Sequence, residues 1–251
     1  MARGTLLVTA PIRASWHVGR VANRRPETPS AVRLELDVST WPGNHAGSHL
    51  DIRLTAPDGY QASRSYSIAS SGQSTRVMLV VEELPAGEVS PYLVQQLDEG
   101  DQLEVHGPLG RYFVWSPTES DRSPVQLIAG GSGVVPLFAM AMAREYESEN
   151  ADFRLLYSVR TPEDVFFANE LASLTQTAVD IVHTRRAPPE SSRAPGRLTQ
   201  GSLGGFVFPA SATPRIFLCG PTPFVETIAG WLLQLGHDPT RIRTERFGGI
   251  R

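Results

Sequence analysis

The chain has 251 residues, 41% hydrophobic and 20% charged, with a formal net charge of −3. That length holds one large domain or two ordinary ones, and the charge balance gives no reason to expect nucleic acid or an anionic membrane as partner. All 23 basic residues are arginine, which removes Schiff-base and P-loop lysine chemistry, and the single Cys219 excludes an internal disulfide, a thiolate-ligated iron–sulfur cluster and a Cys-rich zinc site.

Residues 1–14 carry no legible pattern and read as an N-terminal extension. From 15 to 117 the pattern is one of short alternating segments between turn signals. VRLELDV at 32–38 and LDIRL at 50–54 alternate cleanly, VMLVV at 77–81 is more fully apolar, and QLEV at 102–105 alternates again. Turns fall at Trp41-Pro42-Gly43, Ala56-Pro57-Asp58-Gly59 and Gly107-Pro108-Leu109-Gly110. This spacing predicts an antiparallel barrel or sandwich. The exception is 89–97, where Ser90 reads as an N-cap, Pro91 as the first helical residue, and Tyr92, Leu93 and Leu97 have helical spacing.

Residues 118–124 read as a linker, and from 125 to 251 the texture changes. Short apolar strands are expected at 125–129, 153–158, 179–183 and 215–219. Helices are expected at 135–146, around 168–174 and at 224–235, with a surface loop at 187–200. Strands alternating with helices imply right-handed βαβ units on a parallel sheet.

The stretch at 129–136, Ala-Gly-Gly-Ser-Gly-Val-Val-Pro, joins a strand to a helix, where open α/β sheets bind ligands. Its glycines either let the backbone approach a pyrophosphate at a helix N-terminus or make a plain tight turn. It is not a nucleophile elbow, because Val134 stands where Ser132 would need its second glycine. Cys219-Gly220-Pro221 is a second such junction, and Cys219 is either a group at a ligand site or a small buried hydrophobe. On a strand, Arg64 and Tyr66 share one face, Ser65 and Ser67 the other. These are solvated residues of an edge strand or a grip on a ligand, with Arg64 on phosphate, Tyr66 stacked on a ring and Ser67 at a ring edge. Gly87, Glu88, Val89 and Ser90 precede a helix start whose N–H groups suit further phosphate oxygens.

Taken together, Arg64-x-Tyr66-Ser67, Gly87-x-x-Ser90, Gly107-Pro108-Leu109-Gly110 with Tyr112-Phe113, 130–136, Cys219-Gly220-Pro221 and Glu245-Arg246-Phe247-Gly248 resemble the ferredoxin–NADP reductase family of flavoproteins. The resemblance runs from about Trp16 to the C-terminus. It implies a six-stranded Greek-key flavin barrel (15–117) followed by a nucleotide-binding α/β domain (125–251). It places Arg64 at the flavin phosphate, Ser65 and Tyr66 along the flavin with Tyr66 stacked on its ring, and Ser67 at N5. Ile68, Val80, Val81 and Glu82 line the flavin through main-chain contacts. Gly87, Glu88, Val89 and Ser90 hold a pyrophosphate, which favours FAD over FMN. Gly131, Ser132, Gly133, Val134 and Val135 cradle NADP(H) or NAD(H). Cys219 lies near the hydride-transfer carbon, Gly220 and Pro221 shape its pocket, and Glu245 and Phe247 lie close to the flavin, which makes Ser67, Cys219 and Glu245 the expected catalytic set.

Ser158 and Arg160 end the second strand of the nucleotide domain without an acidic residue beside them, which favours NADPH over NADH. Arg185 and Arg186 follow the next strand. One cysteine cannot hold the [2Fe–2S] cluster that many relatives carry fused, so electrons are expected to pass to a separate acceptor such as a ferredoxin or an oxygenase component. A flavin or ferric-chelate reductase, or a flavin-binding electron-transfer subunit inactive alone, are the alternatives. No run approaches the ~20 apolar residues of a membrane span and no signal-like core opens the chain, so a cytoplasmic monomer is expected, with no membrane, nucleic acid or metal.

Overall fold

A computed structural model of the chain describes residues 13–116, 122–146 and 151–248. The expected extension at 1–14 and linker at 118–124 therefore lie largely outside the described residues. The first half is a six-stranded antiparallel sheet of β1 (Ser15–Thr28), β2 (Ala31–Asp37), β3 (His49–Thr55), β4 (Gln61–Ser67), β5 (Arg76–Glu82) and β6 (Gln102–Leu109), in the order β4-β3-β6-β1-β2-β5. Its two edges meet: Ile68 bridges Leu79, and the Ala69 N–H donates to the Met78 carbonyl at 2.8 Å. The sheet closes into the expected Greek-key barrel, which leaves no long free edge.

Alternation places the barrel core correctly: Val32, Leu34 and Leu36 of β2 pack with Leu50, Ile52, Leu79 and Val105. The opposite face of β2 departs from the pattern. It is covered by the second half of the chain, so Arg33 is 4% exposed and Ala31 joins the interface core. The 14-residue β1, with register shifts at Val21/Asn23 and Pro26/Thr28, has no clear alternation in sequence, because bulges reset the period. The helix α1 (Ser90–Gln95) begins one residue earlier than expected: Val89 is the N-cap and Ser90 the first helical residue. The Ser90 Oγ instead accepts the Leu84 N–H at 3.0 Å.

The second half is a parallel five-stranded sheet of β7 (Val125–Gly130), β8 (Phe153–Val159), β9 (Thr177–His183), β10 (Arg215–Pro221) and β11 (Ile242–Phe247), ordered β11-β10-β7-β8-β9. Its helices are α2 (Val134–Glu145), α3 (Ala168–Ser173), α4 (Gln200–Leu203) and α5 (Thr222–Gln234). Central β7 is buried along its whole length, with Leu127 and Ala129 on one face and Ile128 in the core of the other. The strand order reverses between β7 and β10, so the two glycine-bearing junctions stand side by side at a topological switch point.

The two halves share an apolar seam. Phe113 meets Phe217 edge-on at 5.6 Å, Trp115 meets Phe153 at 5.1 Å, and Arg243 donates to the Val114 carbonyl at 3.0 Å. No helix among the described residues is long and apolar enough to cross a membrane.

Candidate functional site

At the switch point, β7 turns through a short 3₁₀ segment (Gly131–Gly133) before α2. Its two glycines do different work. Gly131 has φ +54°, and a Cβ there would meet nothing within 4 Å, so it opens onto a cleft. A Cβ on Gly133 would sit 2.4 Å from the Cys219 carbonyl oxygen. Gly133 is therefore required for close packing of the two junctions. Val134 and Val135 are buried, and the Val134 N–H is already bonded to the carbonyls of the 3₁₀ turn.

The cleft has a volume of about 210 Å³ and is walled by both halves: Thr28, Ser30 and Glu82 from the barrel, Gly131, Ser132, Ser158, Arg160, Pro221, Phe224 and Phe247 from the α/β side. Asp164 also lines it, an acid that the sequence did not place there. Its Oδ2 is already engaged by the Thr161 N–H at 3.0 Å and hydroxyl at 2.9 Å. A neighbouring cavity of about 470 Å³ shares Ser158, Thr184, Pro221 and Phe224 and adds Arg197 and Trp231. Thr184 and Arg197 were missed in sequence, Arg197 because it lies in a Pro-, Ser- and Arg-rich stretch with no periodicity. Arg186 is paired with Glu163.

On the barrel, β4 is an edge strand of the ladder. Arg64 is exposed, donates to the Ser63 carbonyl at 2.7 Å and is paired with the Glu88 carboxylate. Glu88 also accepts the Tyr60 hydroxyl at 2.9 Å, and that bond together with Arg64 lowers its pKa. Tyr66 is half-buried against the barrel core, and burial pushes its phenol up to about 12. Ser65, on the other face, donates to Asp51 at 2.5 Å. Ile68 and Val81 point into the barrel core, whereas Val80 belongs to the seam. In the 84–90 turn the Gly87 N–H is bonded to the Leu84 carbonyl at 2.7 Å, and Val89 is fully buried.

Ser67, Cys219 and Glu245, widely separated in sequence, converge where the halves meet. Ser67 is the strand partner of His49, and Glu245 that of Cys219. His49 Nδ1 lies 4.0 Å from Glu245 Oε1. Glu245 Oε2 is buried with no hydrogen-bond partner, and burial raises the carboxyl to about 7. Burial, with help from Glu245, pushes the Cys219 thiol well up, so it stands as a neutral thiol among Val134, Phe217 and their neighbours. Burial also lowers the pKa of His49. His49 went unnoticed in sequence because the alternation is legible only from Leu50 onward.

This donor set fits a dinucleotide flavin and a nicotinamide nucleotide. Arg64 already holds a carboxylate where a phosphate would bind, Gly131 faces open space, and Glu245 offers a buried oxygen without a protein partner.

Comparison with known proteins agrees. Residues 29–114 match an oxidoreductase FAD-binding domain and residues 127–230 an oxidoreductase NAD-binding domain. The chain is 32% identical over 214 residues to the glycine betaine monooxygenase reductase subunit of Chromohalobacter salexigens, covering 82% of this chain and 56% of that protein. It spans a little over half the length of the curated relatives it first matches. In fold it is similar to the FAD/NAD-binding domain of nitric oxide dioxygenase from Vibrio cholerae (TM-score 0.81, 23% identity, covering 93% of this chain and 99% of that one). It is also similar to a ferredoxin NADP+ reductase from Neisseria gonorrhoeae (TM-score 0.77, 19% identity, 92% and 98% covered). With both modules in order and a barrel-then-parallel-sheet architecture, the chain belongs to the ferredoxin–NADP reductase-like FAD-binding oxidoreductases.

Proposed function

We propose that the chain takes hydride from NADPH, or less well from NADH, onto FAD and passes the electrons to an acceptor outside these 251 residues. The observation that carries this reading is the single cleft walled by Glu82 and Thr28 of the barrel and by Gly131, Ser158 and Pro221 of the α/β sheet. It brings a flavin-side wall and a nucleotide-side wall within one ligand's reach. Bound FAD supplies two-electron acceptance from reduced nicotinamide and one-electron release. The protein's part would be to bind and align the two cofactors and to keep out water.

In this reading the flavin domain is 15–117 and the nucleotide domain 125–251, joined by 118–124. Arg64 exchanges its exposed Glu88 partner for a flavin phosphate, Tyr66 stacks on the ring and Ser67 donates a hydrogen bond at N5. The backbone of 80–82 and of Ile68 lines the ring, and 87–90 faces the pyrophosphate. Gly131 and Ser132 take the nicotinamide nucleotide, Cys219, Gly220 and Pro221 shape its pocket, and Phe247 covers it. Glu245, whose carboxyl burial raises to about 7, stands 4.0 Å from His49 as a group able to hold or release a proton. Arg160 and Arg197, flanking the end of β8, support a 2′-phosphate and hence NADPH. The relative's printed role as a monooxygenase reductase subunit supports an oxygenase component as acceptor.

Anaerobic titration of the FAD-loaded protein with each nucleotide tests this. NADPH is expected to bleach the flavin absorbance faster than NADH. The opposite preference refutes the Arg160/Arg197 argument, and no bleaching by either refutes the reading. Rapid reduction of free flavin or ferric chelates, with none of a ferredoxin or cytochrome, would move the assignment to a small-molecule reductase.

A further inference from the structure

We propose that Glu27, held on the barrel by Arg33, is a positioning residue for the nicotinamide nucleotide. Its carboxylate clamps the turn before α3 and so fixes one wall of the cleft; the inference rests on the nucleotide reading above. Arg33 lies mid-strand in β2, where alternation assigns a solvated side chain, yet its side chain is 5% exposed, as is that of Glu27. Arg33 Nε donates to Glu27 Oε2 at 2.6 Å, and its Nη1 donates to the Glu170 carboxylate across the seam. The guanidinium also lies 4.7 Å over the Phe167 ring. Burial works against the charge, but the bonds to Glu27 and Glu170 hold the Arg33 pKa above its ordinary value.

The other oxygen of Glu27 accepts the backbone N–H of Phe167. Phe167 is the N-cap of α3, has no side-chain cap of its own, and adopts φ 57°, ψ 33°. Left-handed backbone is disfavoured for a bulky aromatic and persists only where its surroundings impose it. Here they do: the ring is fully buried and stacked on Phe138 of α2 at 3.8 Å with planes 3° apart. The carboxylate of Glu27 satisfies a donor at the start of α3 that would otherwise be orphaned.

The clamp bears directly on the cleft. Phe166 and Asp164, just before Phe167, line the cleft, and so does Thr28, next to Glu27. Through its bond to the Phe167 N–H, Glu27 thus ties the barrel segment that carries Thr28 to the turn that carries Asp164 and Phe166. A buried ion pair is weak evidence for a stabilising role, and the Phe113–Phe217 and Trp115–Phe153 contacts already join the halves. What the triad adds is a specified position for 164–167.

Two double variants isolate that role. Glu27→Gln/Arg33→Met removes the buried charges but keeps an amide oxygen for the Phe167 N–H, whereas Glu27→Leu/Arg33→Met removes the acceptor as well. Each FAD-loaded variant is mixed anaerobically with a series of NADPH and NADH concentrations, and the dissociation constant and limiting rate of flavin reduction are read separately. With flavin content at the wild-type level in both, the glutamine variant is expected to bind nucleotide within about threefold of wild type, and the leucine variant about tenfold or more weakly, a difference of ~1.4 kcal/mol. Its limiting rate is expected to change less than its affinity. Equal affinities in the two variants, both native or both weakened, overturn the proposal. Should the leucine variant fail to fold, Glu27→Asp, one methylene shorter and expected to weaken nucleotide binding, takes its place, and wild-type affinity there overturns the proposal equally. Wild-type protein that no nucleotide bleaches defeats the proposed function instead, which separates the two failures.

Discussion

Two arginine–glutamate pairs on the same barrel have opposite characters. The Arg33 and Glu27 side chains are each 5% exposed, sealed under the second domain, while those of Arg64 and Glu88 are 52% and 49% exposed at the sheet edge. Solvated pairs are worth about 0–1 kcal/mol and exchange partners freely. A buried pair that loses one member leaves a charge with neither water nor counter-ion, which costs about 3–5 kcal/mol. Burial, rather than the chemistry of the pair, decides which arginine is fixed in the fold and which is free to accept a ligand's anion.

The comparison breaks most visibly at Arg33. Arg33→Ala strands the Glu27 carboxylate beneath the seam, and a loss of about 3–5 kcal/mol in unfolding free energy is expected from denaturant titration. A change below about 1 kcal/mol would mean that water reaches the site and that the two pairs are alike.

Glu245 sharpens it by showing a mostly buried carboxyl without an arginine. Its value rises from 4.5 to about 7 through burial alone. A carboxyl raised on folding supports the native state fully below its unfolded value, and that support is lost as pH climbs through about 7. Stability is therefore expected to decline between about pH 4.5 and 8 by roughly 1–3 kcal/mol from this group, the lower end favoured because its side chain remains 28% exposed. Glu245→Gln should flatten that slope in thermal unfolding measured across the range, and an unchanged slope would place the pH dependence elsewhere.

What the sequence made legible follows from the range of each physical signal. Alternation in β2, β3 and β6 and glycine-ended strands in β7 and β10 are local, and they yielded the antiparallel half and the parallel sheet, whereas the grouping of Ser67, Cys219 and Glu245 came from the family resemblance. Alternation cannot say what covers a strand's second face, so Arg33 read as a solvated position although α3 and its turn bury it. The polar run of β11, Ile-Arg-Thr-Glu-Arg-Phe, has no strand-like hydrophobic pattern because it is an edge strand held by its neighbour β10. His49, Thr184 and Arg197 reach the site through tertiary placement alone. For Cys219 the sequence left two readings open; the structure shows a buried thiol at the junction, kept neutral by burial.

The smallest effects on the fold are expected at the exposed pair, and there the ligand reports instead. Arg64→Ala should leave stability of the flavin-free protein within about 0.5 kcal/mol of wild type, because the lost pair is solvated. It should weaken FAD binding by about 1.5–3 kcal/mol, the worth of a charge-assisted contact to phosphate. Glu88→Gln removes the carboxylate that competes for the same guanidinium while keeping an acceptor for the Tyr60 hydroxyl. FAD affinity measured by calorimetric titration should then rise modestly, by less than about 1 kcal/mol, since an exposed competitor is displaced cheaply. A fall in affinity would mean that Glu88 serves the bound flavin directly, and Arg64 and Glu88 would then act together on the ligand rather than one giving way to it.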